Sequence, residues 1–296
     1  ARFRWHPFLR EFALMALEAQ PARAMLLRLT LAEHLAGALR EHHLRETRPT
    51  SAGLAWVARE WPHLLDAWRT VAAVRRVDLW EPLSEAVALH AEITAQYRQG
   101  SAWLELPPEV RSACGVHAIE PAHVDLLRAR LLHWVEGERA LELLAGAEPA
   151  FTRAGDIDGQ IAALRLRGVV QWRRGDAPRA ALTLQTALDL GQQHGHLRWR
   201  AILLDGLGLA LEAQGSYEAA QASWLEALSL NHAGGNAHQE VQNRINLAIG
   251  RRPGDDDGAV AMAERALALA QAIGYEQFVA HALATVAWAR LNTGEL

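Results

Sequence analysis

The sequence predicts an all-α fold, a solenoid of helix-turn-helix repeats preceded by a bundle of helices. Three observations predict it. The spacing A-x6-A-L-x6-G occurs at Ala180, Ala187, Leu188 and Gly195, then at Ala220, Ala227, Leu228 and Gly235, then at Ala259, Ala266, Leu267 and Gly274. A weaker copy has Ala140, Ala147 and Gly155, with Glu148 in the leucine position. The first alanines therefore lie 40, 40 and 39 residues apart, a register that scattered alanines do not keep four times. Finally, a small residue (Gly168, Gly208, Ala248, Ala287) stands six or seven residues before a turn glycine (Gly175, Gly215, Gly254, Gly294).

Taken in order, the chain divides into three parts. Residues 1–20 open with "RFRWHPFLREFALMAL", where Phe3 and Trp5 alternate and Pro7 starts a helix with an apolar face of Phe8, Phe12 and Met15. Residues 21–115 read as long amphipathic helices, a helical bundle or degenerate repeats that continue the solenoid. Leu27, Leu31, Leu35 and Leu39 recur at helical spacing, Leu79, Leu83, Val87 and Ile93 less regularly, and "RETRPTSAG" and "LELPP" break the pattern. Residues 116–296 form the solenoid. In each unit the turn glycine ends one helix, and Asp176, Ser216 or Asp255 after it caps the next. The small residue of the first helix and the two alanines of the second mark where helix backbones approach closely.

The stretches "LRLRGVVQWRRGDAPRAALTLQTALDL" and "LLDGLGLALEAQGSYEAAQASWLEALSL" resemble tetratricopeptide repeats, with the small residue, turn glycine and two alanines in order. A unit near 40 residues, rather than the usual ~34, resembles the longer repeats of STAND-type bacterial signal-transduction ATPases and the maltose-regulator group. The pattern slips where the third unit is one residue short before Gly254 and where Arg167 replaces the family's leucine. "RFRWHPFLREFALMAL" looks like the end of the winged-helix element that follows the nucleotide-binding module in those ATPases. "REWPHLLDAW" (59–68) resembles the helix that begins their sensor region, with His63 for the usual Asn. The resemblance implies a cytoplasmic sensor or scaffold region of a larger bacterial regulator, biasing an ATPase switch N-terminal to it. A start at Ala1 without Met, and an end just after a turn signal, give the expectation of a fragment. The alternative is a free-standing adaptor or peptide-pheromone receptor without an ATPase module.

Composition narrows the chemistry. There is no lysine, which excludes a P-loop lysine or a Schiff base within these residues. A net charge of -4, without a basic stripe, argues against nucleic-acid contact, and no apolar run reaches membrane-span length. Cys114 is the single cysteine and fits a reducing compartment. Fourteen histidines invite a metal reading. Cys114, His117 and His123 are its best cluster, against a loop and helix start, while the adjacent His42 and His43 read as solvated surface. Asp255, Asp256 and Asp257 lack the alternation of a calcium loop and read as helix-start charge. Gly206 and Gly208 lie within a helix and lack the third glycine of a dinucleotide loop. Neither a catalytic constellation nor a cofactor is implied.

In a solenoid the first helix of each repeat lines a continuous concave face. This register assigns to it Arg165, Val169, Trp172 and Arg173, then Ile202, Asp205, Leu209 and Glu212, then Gln242, Ile245, Asn246 and Ile249. An apolar floor with a few charged and amide groups suits an extended peptide, a protein segment or a small effector. Trp172, Trp224 and Trp288 fall at helical positions expected in the inter-repeat core, with Trp172 able to share the groove side. Self-association through the exposed end of the last, truncated repeat is the other expected contact.

Overall fold

The computed structural model describes residues 15–17, 19–41, 51–115, 118–251, 258–274 and 276–294, and the regular structure among them is helical throughout. Two compact units emerge, residues 1–136 and 137–296. The all-α repeat architecture expected from the sequence is present. Nearly all of the expected winged-helix remnant, as well as His42, His43, His117, Gly254 and Asp255 to Asp257, lies outside the described residues.

The first unit comprises α1 (Pro21–Glu41), α2 (Ser51–Ala73), a 3-10 turn (Val77–Leu79), α3 (Trp80–Ile93), α4 (Tyr97–Trp103), α5 (Pro108–Cys114) and α6 (Ile119–Leu132). Its core is built on tryptophan. Trp68 and Trp80 are buried and meet edge-on, with ring centroids 5.9 Å apart. A buried indole needs an acceptor for its N–H. Trp68 donates to the Trp103 carbonyl at 2.9 Å and Trp80 to that of Val71 at 3.1 Å, so the two rings also tie α2 to the end of α4 and to the start of α3. Close packing of α4 on α3 depends on Gly100, where a Cβ would stand 2.3 Å from that of Ala91. The leucine stripe of α1 is buried only in its second half: Leu35 and Leu39 are in the core, whereas Leu27 and Leu31 remain exposed. "REWPHLLDAW" lies inside α2, which continues through Pro62.

The second unit is a run of helix pairs: α7 (Gly137–Ala154), α8 (Ile157–Arg173), α9 (Ala177–Gln193), α10 (Arg200–Glu212), α11 (Tyr217–Ala233), α12 (Ala237–Ile249), α13 (Ala259–Ala272) and α14 (Glu276–Thr293). The turn glycines earn their place by conformation: Gly175 and Gly215 have φ of 82° and 76°, a left-handed backbone that side chains disfavour. Asp156 and Asp176 cap α8 and α9, accepting the Gly159 and Arg179 N–H groups at 3.0 and 3.3 Å. Ser216 departs from expectation. Its hydroxyl makes no cap bond, and only its carbonyl, receiving the Ala220 N–H at 3.0 Å, starts α11.

The spacing of small residues becomes a rule of fit between the two helices of a unit. A Cβ on Gly168 would lie 2.6 Å from Leu184, and one on Gly208 would lie 2.3 Å from the indole nitrogen of Trp224. Where the first helix carries Ala248 instead, the corresponding residue of the second helix has shrunk to Ala263, and both sit in one buried cluster. Two of the three departures from the repeat pattern also answer one another. Glu148 on α7, in the leucine position, forms an ion pair with Arg167 on α8, where the family carries leucine. Among helices that skip a neighbour, α8 touches α10, α10 touches α12 and α12 touches α14, so the first helices of successive units lie side by side.

Two pairs of variants test this packing. Gly208→Ala should lower stability by about 1–3 kcal/mol through overpacking against Trp224. Gly206→Ala, whose Cβ would meet Leu184 only at an ordinary 3.4 Å, should be neutral or stabilising by up to ~1 kcal/mol. Equal effects in urea unfolding would remove the slot. Glu148→Leu and Arg167→Leu should each destabilise by about 1–3 kcal/mol, and the double variant should recover most of that loss; strict additivity would show that the pair is not coupled.

Candidate functional site

The first-helix face of α8, α10 and α12 is where the chain places its unusual polar chemistry. A first helix is packed on its partner along one side and on the neighbouring first helices along two others, leaving a narrow strip to face outward. In α10 that strip contains Asp205, half-buried among apolar neighbours. One repeat further on, α12 carries Asn243 and the predicted groove residue Asn246, spaced three apart and so on one helix face, and both are buried beneath the strip, offering no surface of their own. Both amides donate to the same oxygen, Oδ1 of Asp205, at 2.7 and 2.8 Å.

The network extends on both sides. Asn231 of α11 donates to Asn243 Oδ1 at 2.7 Å, and Gln242 donates to Asn246 Oδ1 at 3.0 Å. Asp205 is also held through its main chain, because the buried Trp224 indole donates to its carbonyl at 3.1 Å. Burial pushes the Asp205 carboxyl up to about 6; the two amides and the nearby Arg165 guanidinium act the other way without offsetting it. This is a carboxylate kept at a cost, held in place from two helices.

Around this floor the other predicted residues divide by exposure. Arg165, Val169 and Trp172 on α8, Ile202, Leu209 and Glu212 on α10, and Gln242 on α12 are half-buried. Arg173 is exposed at the end of α8, and Ile249 is 39% exposed at the end of α12. Trp172 packs its inner edge on the core cluster that includes Leu184, Leu203 and Leu207. Ile245 is fully buried with Val241, Ala266 and Ala270, so it supports the floor from behind and offers no surface of its own. Trp224 is core, as its helical position suggested, whereas Trp288 is 40% exposed on α14.

Sequence reasoning missed Asn243 and Asn231. The available signal was an acid in one first helix followed, 38 and 41 residues later, by two amides in the next. A second polar node was also missed. Asp158, at the start of α8, accepts the Trp199 indole N–H at 2.7 Å and the Arg198 Nε at 3.2 Å, and lies 2.9 Å from His196 Nδ1. It pins the loop between α9 and α10, beside a shallow depression lined by Leu188, Gly191, Trp199 and Leu203, which includes none of the predicted groove residues. Cys114 is half-buried, and burial pushes its thiol up; among the described residues no three metal-ligating side chains come together. No described helix is long and apolar enough to cross a membrane.

The Asp205 carboxyl makes a signed prediction. An unfolded Asp loses its proton near 3.8, the folded one near 6, so between these values the folded state binds more protons and stability falls as pH rises. Asp205→Asn removes this contribution. Its stability relative to the parent chain should therefore grow by on the order of 1–2 kcal/mol between about pH 4 and pH 7. Parallel denaturation series at each pH decide the matter, and a difference that stays constant would show an ordinary carboxyl.

No family model matches the chain, and no curated protein matches it. Among solved structures, a Rap protein complexed with competence and sporulation factor matches with a TM-score of 0.61 at 14% identity, covering 91% of this chain and 86% of that one. At this identity the likeness is one of fold, and the fold is a TPR-like helical repeat.

Proposed function

We propose that this chain is a non-catalytic, ligand-binding helical-repeat region of a bacterial regulator, which takes an extended peptide or protein segment along the first-helix face of α8, α10 and α12. The observation that carries this reading is the half-buried Asp205 carboxylate, fixed from below by the buried Asn243 and Asn246, on first helices that also carry half-buried Val169, Trp172, Ile202 and Leu209. A polar anchor in an apolar strip is what a bound main chain with alternating side chains requires. A small effector would use the same anchor and fewer of the apolar positions. In the resemblance to signal-transduction ATPases, occupancy would bias a switch elsewhere in a larger polypeptide, by favouring one curvature of the stack. No reaction is assigned to the groove.

A second reading has its own support. The likeness to the Rap protein, solved with its factor, extends over 86% of that chain, which favours a helical array that binds its partner without help from an ATPase module. A glycine-rich phosphate loop with its lysine, found upstream in the same polypeptide, would favour the first reading; its absence there would favour the second.

Both readings share one test. Peptides selected from a random library on the purified chain should lose at least about tenfold in affinity, ~1.4 kcal/mol, when Arg165 and Trp172 are both replaced by Ala. Far-UV circular dichroism should not change. Unchanged affinity in the double variant would remove the groove assignment, and failure to select any peptide would turn the search to small effectors.

A further inference from the structure

Two buried asparagines stand where neighbouring units carry small or apolar residues. Asn231, near the end of α11, corresponds in the repeat register to Gly191 and Ala270, and Asn243 on α12 corresponds to Ala163 and Leu203. All six are buried. An amide is costly to bury unless its hydrogen bonds are made, so the partners of these two side chains are informative. Asn231 donates to Asn243 Oδ1 at 2.7 Å, and Asn243 donates onward to Asp205 Oδ1 at 2.7 Å. The chain of bonds has a direction. An amide has one donor end and one acceptor end, so with its oxygen occupied by Asn231, Asn243 turns its N–H groups toward Asp205. One step further out, Asn236 orients Asn231 in the same sense, donating to its Oδ1 at 3.4 Å. Asn236 is the N-cap residue of α12, yet its side chain makes no cap bond, whereas Asp156 at the equivalent position caps α8. A shorter branch runs from Gln242 to Asn246 to Asp205, at 3.0 and 2.8 Å. Both branches donate toward the carboxylate.

We infer that Asn231, buried on a second helix outside the groove, is a positioning residue for it, as Gln242 is on the shorter branch: by filling the oxygens of Asn243 and Asn246 they commit both amides to donating, and so present Asp205 to the ligand face as an ionised acceptor. The consequence for binding rests on the face of α8, α10 and α12 being the binding site. Without Asn231, Asn243 is free to turn its oxygen to Asp205, and a carboxyl that faces an oxygen keeps its proton. Charged neighbours do not supply the same effect. Of the charged groups on the helices packed against α10, Arg165 of α8 acts on Asp205 and favours its ionised form. Glu226 of α11 is held by Arg200, and Glu240 of α12 by Arg244 and His232. Helix α9 meets Gly206 of α10 through Leu184.

Carboxyl carbon NMR of the full chain without ligand reads the Asp205 titration, with Asp205→Asn identifying its resonance. Asn231→Leu should raise the midpoint, about 6 in the parent chain, by at least about half a pH unit. Ser223→Ala, on the same helix but outside the chain of amides, should leave it in place. Gln242→Leu, at a half-buried position, opens the shorter branch and should also raise the midpoint; it carries the test if the buried substitution does not fold. Peptides selected on the parent chain should lose more affinity in Asn231→Leu near pH 6, by about twofold or more, than near pH 8, where Asp205 is ionised in both proteins. A midpoint unmoved in the folded variants, or moved equally by Ser223→Ala, would overturn the positioning role. A raised midpoint with no pH-dependent loss of peptide affinity would leave Asn231 its role at Asp205 and remove the groove assignment instead.

Discussion

A Cβ on Gly208 would stand 2.3 Å from the indole nitrogen of Trp224, and one on Gly250 would stand 2.2 Å from its six-membered ring, so the approach of α10, α11 and α12 rests on two missing side chains. Trp224 is the fully buried tryptophan among the described residues of the unit, and burying an indole contributes more apolar area than burying an aliphatic side chain. Its gain is realised only where both neighbours leave room. With Trp224 seated, α11 holds the two flanking first helices at a fixed separation, and these then touch each other. The outward strip that could receive a ligand is the remainder of this arrangement.

The polar floor depends on the same wedge. The indole N–H of Trp224 ends on the carbonyl of Asp205, whose carboxylate receives Asn243 and Asn246 from the next repeat. An acid this desolvated lowers stability when ionised, and a core of leucine would avoid that cost. What the acid adds is direction. A networked carboxylate and four amide side chains accept and donate hydrogen bonds at fixed points, which aliphatic packing cannot do, and their near-complete satisfaction keeps the register of α10 on α12 unique. The first unit solves its own closure differently, placing indole N–H groups on carbonyls at helix ends.

Much of the fold was legible because repeats write the same constraint several times. Turn glycines, second-helix alanines and the small first-helix residue each answer a local steric demand, and local demands leave marks at fixed spacing. The ion pair of Glu148 with Arg167 was visible as two separate irregularities, but their pairing was not, since no rule of spacing joins α7 to α8 at those positions. In the amide network, Asp205, Gln242 and Asn246 stand at positions of the first-helix register, and Asn243 does not, because its neighbour Gln242 occupies that slot. Ile245 shows the same limit from the other side. A helix turns 100° per residue, and a register uncertain by one residue moves an isoleucine from groove wall to core. Leu27 and Leu31 share the helical spacing of Leu35 and Leu39 yet stay exposed, because burial also requires a neighbour, which the spacing of one helix does not reveal.

Asp205 joins two kinds of connection that solenoids usually keep apart. Its main chain is tied to the core through Trp224, and its side chain is tied to the adjacent repeat through α12. On the proposed reading, a ligand that draws on the Asp205 carboxylate competes with Asn243 and Asn246 for it. The groups released are buried amides, and leaving them without acceptors costs about 1–3 kcal/mol each unless the ligand supplies replacements. A main-chain ligand does supply them, since every peptide unit offers both a donor and an acceptor. Binding thus exchanges a bond between repeats for bonds through the ligand, and any difference in the preferred α10 to α12 spacing between the two states becomes a difference in the curvature of the stack. On that reading, only ligands with paired donor and acceptor chemistry make the exchange without loss, and an extended peptide would fit the floor better than an apolar effector of the same size.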